Sequence, residues 1–300
     1  MTSEDPHPTR RTLCKVCGVG RYEDTPEQAR VPSNVRRWRE HLSTVWRCGN
    51  CASLISLEVV DLEPFYDGYP YSQRKDDYFA RRAFGRHLKL LEHSGVTAAS
   101  SILDYGCSEG LFLSFLRTHG FKDCSGYDKY SERYSDEAAL GREYDVVVCQ
   151  DTIEHVDDPK GLLIRLAQAV RPGGVLCVGT PRADDVDLGN LKRSIHSLHQ
   201  PYHLHILSER GITNLAVDAG FHVEALHRRH FMDTPYPFVN WRFLRAYLAA
   251  NDDTLDAGFE QPRHGVFLRS PGLALLGLFG NLLPSSSEMI VMLRKGTGAT

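Results

Sequence analysis

The stretch Ile102-Leu103-Asp104-Tyr105-Gly106-Cys107-Ser108-Glu109-Gly110 constrains the fold more than any other part of this 300-residue chain. An apolar pair runs into an acidic residue and a glycine-spaced turn, the pattern of a buried strand that stops sharply at a ligand. Gly106 lets the backbone turn with no Cβ in the way. Gly110 lets the next helix, over Leu111-Phe112-Leu113-Ser114-Phe115-Leu116, start close against that ligand. The dinucleotide pattern G-x-G-x-x-G is absent, because Ser108 stands where the second glycine would let a pyrophosphate approach. The segment reads as a nucleotide-cofactor loop of another kind.

The residues that follow extend this into an α/β series. A short strand, Cys124-Ser125-Gly126-Tyr127, ends at Asp128, about 20 residues beyond the turn, where a carboxylate can accept both ribose hydroxyls. Tyr144-Asp145-Val146-Val147-Val148-Cys149 lacks alternation, as expected of a strand covered on both faces. It delivers Gln150-Asp151-Thr152-Ile153-Glu154-His155 to the carboxyl end of the sheet. A helix is expected over 159–170, then the turn Arg171-Pro172-Gly173-Gly174 and a strand over 175–181. Residues 208–220 read as a capped helix, 221–226 as a strand and 287–293 as a final antiparallel strand.

This order of D-x-G-x-x-x-G, an acidic strand end, E-H-V-x-D-P, R-P-G-G and T-P resembles the motif series of class I S-adenosylmethionine-dependent methyltransferases over residues 96–230. The resemblance implies a Rossmann-like sheet and S-adenosylmethionine as cofactor. The cofactor contacts it implies are Asp104, Gly106, Cys107, Gly110, Asp128, Gln150, Asp151 and, from the preceding linker, Tyr71. One departure stands out. Only 16 residues separate Asp128 from Asp145, where the class fits a helix, a third strand and an acidic contact to adenine. The third strand is therefore expected to be reduced, with a short helix over 131–140.

The eight cysteines divide in two. Cys14-Lys15-Val16-Cys17 and Cys48-Gly49-Asn50-Cys51 are C-x-x-C knuckles, and two such pairs make a tetrahedral, structural zinc site. Gly18 and Gly49 suit the tight turns. Cys107, Cys124, Cys149 and Cys177 fall in or beside expected strands, where a free thiol packs as a small hydrophobe.

The expected organisation is a mobile polar tail over 1–12, a zinc ribbon over 13–60 whose core is too small to hold without metal, and a tyrosine-rich linker and helix over 61–95. A methyltransferase domain follows over 96–300, with a helical insertion at about 233–284 serving as a lid or a homodimer surface. A four-cysteine ribbon, a tyrosine-rich connector and a class I domain together are similar to bacterial methyltransferases of sugar and polysaccharide biosynthesis.

Asp151, Glu154, His155 and His203 are the candidate catalytic residues. Asp151-Thr152-Ile153-Glu154-His155 is similar to the E-x-x-E-H sequence of ubiquinone-pathway O-methyltransferases and small-RNA 2′-O-methyltransferases, with Asp for the first Glu. That resemblance implies a divalent cation, magnesium or manganese, with His203 as a further ligand. Without metal, His155 is the general base, ionising near ~6.5. His196, His199 and His205 are expected to face solvent. The acceptor is expected to be a small molecule, a sugar or glycan precursor, methylated on oxygen or, failing that, carbon. The alternatives are an RNA methyltransferase whose ribbon grips nucleic acid, and a scaffold that has kept the fold without turnover. The net charge of -3 weighs against nucleic acid, so Arg36-Arg37-Trp38-Arg39 and Arg228-Arg229-His230 read as solvated faces. The apolar run over 273–283 is too short for the roughly 20 residues of a bilayer span, and Met1 to Pro6 lack a signal peptide's regions, so a cytoplasmic chain is expected.

Overall fold

Three short extended segments follow the first knuckle before the main sheet begins, the last two flanking the second knuckle. In the computed structural model, which describes residues 10–230, 232–284 and 287–297, these become β1 (Gln28–Pro32), β2 (Leu42–Arg47) and β3 (Leu54–Ser56). The main elements follow as β4 (Ile102–Tyr105), β5 (Cys124–Tyr127), β6 (Tyr144–Gln150), β7 (Val170–Pro181), β8 (His205–Ile206), β9 (Phe221–His227) and β10 (Glu288–Lys295).

Six strands form the main sheet in the order β5-β4-β6-β7-β10-β9. The first four are parallel, while β10 runs antiparallel to both β7 and β9. This is the class I methyltransferase sheet without its third strand. Among the described residues the span after Asp128 holds one short 3-10 turn, Glu137–Leu140, so the sheet ends at β5. The uninterrupted valines of β6 follow from burial on both sides. Val147 and Cys149 point into one core layer with Leu176 and Val178. Val146 and Val148 point into the other with Cys177, Ile290 and Met292.

Helices cover both faces, and three of them begin at a side-chain cap. Helix Tyr78–His93 starts where Asp77 accepts from the Ala80 amide at 2.9 Å. Helix Pro159–Ala169 starts at Asp158, which accepts from Gly161 at 2.9 Å. Helix Glu209–Asp218 starts at Ser208, which accepts from Gly211 at 2.8 Å. Each cap contributes about 1 kcal/mol and fixes where the helix meets the sheet. No helix of the described residues is long and apolar enough to cross a membrane.

The ribbon is joined to the methyltransferase region rather than hung from it. β8 supplies a fourth strand to the small sheet, pairing Ile206 with Leu54 and His205 with Ile55. Ser208 donates to the Cys51 carbonyl, and its amide donates to Ser53 Oγ at 3.1 Å. Trp46, Cys14, Cys48 and Cys51 share one apolar cluster with Leu103, Leu166 and Ile212.

Two expectations change here. The first nine residues of the expected tail lie outside the described residues, but Arg10 bridges to Glu58 and the buried Arg11 pairs with Asp157 at 2.9 Å. The ribbon holds this end of the chain because an arginine this deep needs a partner. Arg36 is likewise no solvated bystander. It binds Asp252 at 2.6 Å and Glu260, and its amide donates to Asp256, which fastens the helical insertion to the ribbon.

Candidate active site

The cofactor turn is built as its sequence suggests, though its glycines answer to protein as well as to ligand. Gly106 and Gly110 both sit in the left-handed region, at φ 80° and 73°. A Cβ on Gly106 would lie 2.1 Å from Thr152 Oγ1, and one on Gly110 would lie 2.5 Å from the Tyr134 hydroxyl. Ser108 takes a left-handed φ of 49°, unusual for a residue with a Cβ. Its amide donates to Asp128 Oδ2 at 2.8 Å, and Tyr130 donates to Oδ1 at 2.9 Å. The expected ribose carboxylate is thus fixed at the rim of the turn. The Cys107 side chain turns into the core below, leaving only its backbone for a ligand.

Asp104 is buried at the end of β4, and burial, with the charge of Asp128 added, pushes its carboxyl up to about 7. Neither carboxyl forms an ion pair among the described residues, and an acidic rim of this kind suits S-adenosylmethionine, which carries ammonium and sulfonium charge.

Thr152 on Gly106 brings the following turn, Ile153–His155, beside the cofactor loop. Glu154 is 1% exposed; its Oε2 accepts from Thr180 at 3.0 Å, while Oε1 is buried with no hydrogen-bond partner. Burial, reinforced by Asp151, raises its carboxyl well above the usual range. His155 Nδ1 donates to the Tyr202 carbonyl at 3.1 Å, and His203 Nδ1 donates to the Ser197 carbonyl at 2.9 Å. Both imidazoles therefore turn Nε2 lone pairs outward, and His203 Nε2 lies 4.0 Å from Glu154 Oε1. One donor atom from each of Glu154, His155 and His203 falls within 4.8 Å of the others. Burial holds His155 down to about 4 and His203 well below the usual imidazole value, so both are neutral at physiological pH. The ionisation expected near ~6.5 is displaced because the ring is out of water.

Asp151 stands apart from these three. It takes φ 50°, exposes part of its surface and accepts from Gln150 Nε2 at 2.9 Å. Burial of its carboxyl raises it, opposed by hydrogen bonds from Glu288 and Gln150. A left-handed aspartate costs on the order of 1 kcal/mol, and such outliers gather at functional sites.

The linker forms an aromatic strap across this region. Tyr66, Tyr69 and Tyr71 pack with Tyr202 and His199, and Tyr71 meets Phe259 of the insertion at 5.1 Å. Tyr66 and Tyr130 stand 6.4 Å apart, 28° from parallel, beside Asp128. The histidines expected to face solvent are inside. His199 is 4% exposed; its Nδ1 donates to Asn34 Oδ1 and its Nε2 accepts from the Tyr69 hydroxyl, both at 2.6 Å. His205 is fully buried, and His196 reaches Asp253 at 3.1 Å. The loop carrying them folds inward because β8 joins the ribbon sheet. Sequence reasoning missed Thr180, Tyr202, Asn34 and Glu288, and only the T-P motif gave any signal for the first.

The four knuckle cysteines converge separately. Cys14 and Cys51 sulfurs are 3.6 Å apart, and those of Cys17 and Cys48 are 3.7 Å apart. Four sulfurs about 2.3 Å from one zinc would be spaced at about 3.8 Å. The knuckles repeat one geometry, with Gly18 donating to the Cys14 carbonyl and Ala52 to the Cys48 carbonyl, each at 2.8 Å. The left-handed positions are Gly18 and Ala52, so Gly49 does not play the part its identity suggested.

Residues 73–226, just over half of the chain, match the family described as Methyltransferase domain, and the chain belongs to that family. Its sheet is that of the class I methyltransferases. The ubiquinone biosynthesis O-methyltransferase of Rickettsia canadensis is 27% identical over 111 residues, covering 31% of this chain and 47% of that protein. The enzyme of the same name from Citrobacter koseri is 28% identical over 112 residues, covering 30% and 46%. The chain thus spans about half the length of the curated relatives it matches. Among solved structures, phosphoethanolamine N-methyltransferase 2 of Haemonchus contortus in complex with S-adenosyl-L-methionine is 17% identical, covers 81% of this chain and 63% of its own, and superposes with a TM-score of 0.47.

Proposed function

We propose that this chain transfers the methyl group of S-adenosylmethionine to an oxygen of a small-molecule acceptor, a sugar or glycan precursor, with zinc at the four cysteines as a structural ion. The observation that carries the proposal is the convergence of Glu154 Oε1 and the outward Nε2 atoms of His155 and His203 beside the Asp104–Asp128 turn. Asp128 would hold the ribose, and the exposed ring of Tyr130 beside it would stack on the adenine in place of the missing strand. The methyl sulfonium is already activated. Alignment of hydroxyl, methyl carbon and sulfur then supplies much of the rate.

Two ways of handling the acceptor proton remain distinct. In one, His155 Nε2 accepts it directly. In the other, Glu154, His155 and His203 would hold a magnesium or manganese ion, which would lower the pKa of the acceptor hydroxyl. The second is favoured by the convergence of the three donor groups, and by Nδ1 of each histidine being held by a carbonyl, the usual support of a metal-bound imidazole. Aspartate at 151, outside the donor set, is then a neighbour of the site and no ligand.

Calorimetry tests the cofactor assignment. Asp128→Ala should weaken S-adenosylmethionine binding by about 1.5–3 kcal/mol, the value of charge-assisted hydrogen bonds. A wild-type protein that shows no binding at millimolar cofactor would refute the enzymatic reading.

A further inference from the structure

A polar cavity of about 140 Å³ opens at the carboxyl edge of the main sheet, next to the candidate site but outside it. Its walls are the segment after β7, helix Leu191–Leu198, Arg245 of the insertion and Ser287 at the entry to β10. Two features tie it to the site. The carbonyl of Ser197 in its wall fixes His203 Nδ1, and Ser287 immediately precedes Glu288, which bonds Asp151.

The wall chemistry is that of an anion site with a hydroxyl requirement. Arg193 and Arg245 lie together, since Arg245 donates to the Arg193 carbonyl, and neither forms an ion pair among the described residues. Asp253, near Arg245, is already engaged by His196. The charge of Arg193 opposes that of Arg245, with Asp253 acting the other way, and a bridging oxyanion would offset the repulsion between the two guanidiniums. Ser194, Ser197 and Ser287 bring hydroxyls to the same space, each at least nine-tenths buried, and Ser287 Oγ has no hydrogen-bond partner. A buried hydroxyl left open in this way is an unfilled place in a ligand's shell. Of the two carboxylates present, Asp185 is neutralised by Arg182. Asp187 is not paired with a cation, and it would repel a bare phosphate but accept from a ligand hydroxyl.

We propose that this cavity binds the phosphate ester of a polyol, with phosphoryl oxygens on Arg193, Arg245 and the serine hydroxyls and a ligand hydroxyl on Asp187. Resting on the methyl-transfer reading, this makes the acceptor a phosphorylated, hydroxyl-rich molecule, anchored by its phosphate while another hydroxyl reaches Glu154, His155 and His203.

The full-length protein titrated with glycerol 3-phosphate, glycerol and inorganic phosphate tests this. The ester should bind at least about tenfold more tightly than either part. Arg245→Gln and Arg193→Gln should each weaken it by about tenfold, the loss expected when one charge-assisted pair is removed. Arg193 is exposed, so its variant reports even if replacing Arg245 disturbs the insertion. Both variants should bind S-adenosylhomocysteine as wild type does. Absence of saturable ester binding at millimolar concentration, or binding indifferent to both substitutions, overturns the proposal. Ester binding by a protein that fails to bind S-adenosylhomocysteine would retain the cavity and refute the methyl-transfer reading alone.

Discussion

Asp104→Asn should stabilise the cofactor-free protein while removing its cofactor binding, and the size of the effect follows from burial. The Asp104 carboxyl rises from 3.8 to about 7 on folding, and at about 1.4 kcal/mol for each pH unit this is a penalty of about 4 kcal/mol for the charged form. The sign is that of an acid held protonated by the fold. The penalty is absent below about 4, grows between about 4 and about 7, and is complete above that. Asparagine carries no such charge. Urea unfolding should therefore show the variant more stable than wild type by about 2–4 kcal/mol at pH 8 and by little at pH 4, the lower figure allowing for solvent relaxation around the carboxylate. Glu154 and Asp151 are also raised on burial, and their contribution is common to both proteins, so the difference isolates Asp104. Calorimetry at pH 8 should show S-adenosylmethionine bound by wild type and not by the variant. A variant that is no more stable at pH 8, or that gains equally at both pH values, would show that Asp104 is not a desolvated charge.

Further outcomes follow from the site and the ribbon. Chelation that spares the four-cysteine centre should abolish turnover, with magnesium or manganese restoring it, if the cation mechanism holds; under the base mechanism turnover should survive chelation, and His203→Ala should mainly raise KM. Glu154→Gln keeps the Thr180 bond and loses the charge, so it should remove the rescue by manganese while leaving S-adenosylhomocysteine affinity unchanged by calorimetry. Tyr130→Ala, which removes an exposed ring, should weaken cofactor binding by about 1 kcal/mol without changing the melting temperature. Cys48→Ser should release one zinc by metal analysis and, because Ser208 bonds Cys51 of the same knuckle, should also lower turnover; full activity in a zinc-depleted variant would refute that coupling.

The sheet was legible where local chemistry and tertiary position agree. Asp104, Gly106, Gly110 and Asp128 occupy strand ends and turns that their types require, and the short span after Asp128 announced the missing strand. The helix start at Ser208 was likewise written in its cap. What escaped sequence reasoning depends on contacts between distant segments. His199 and His205 carry no signal for burial, because it is Asn34 and Ile55 of the ribbon that enclose them. Ala52 in a left-handed turn could not be read from its identity, since the paired sulfurs rather than the side chain select that conformation. The neutrality of His155 was equally hidden, being set by the depth of the ring behind Tyr202.

The pairing of Leu54 with Ile206 also orders events during synthesis. The second knuckle leaves the ribosome early, yet the strand that completes its sheet is made about 150 residues later, which at about 5–20 residues per second is a delay of roughly 8–30 seconds. Until then the edge of β3 and four thiols stand open to any metal or neighbouring chain. A nascent chain halted before residue 205 should therefore exchange any zinc held by the four cysteines far faster than one halted beyond helix Glu209–Asp218.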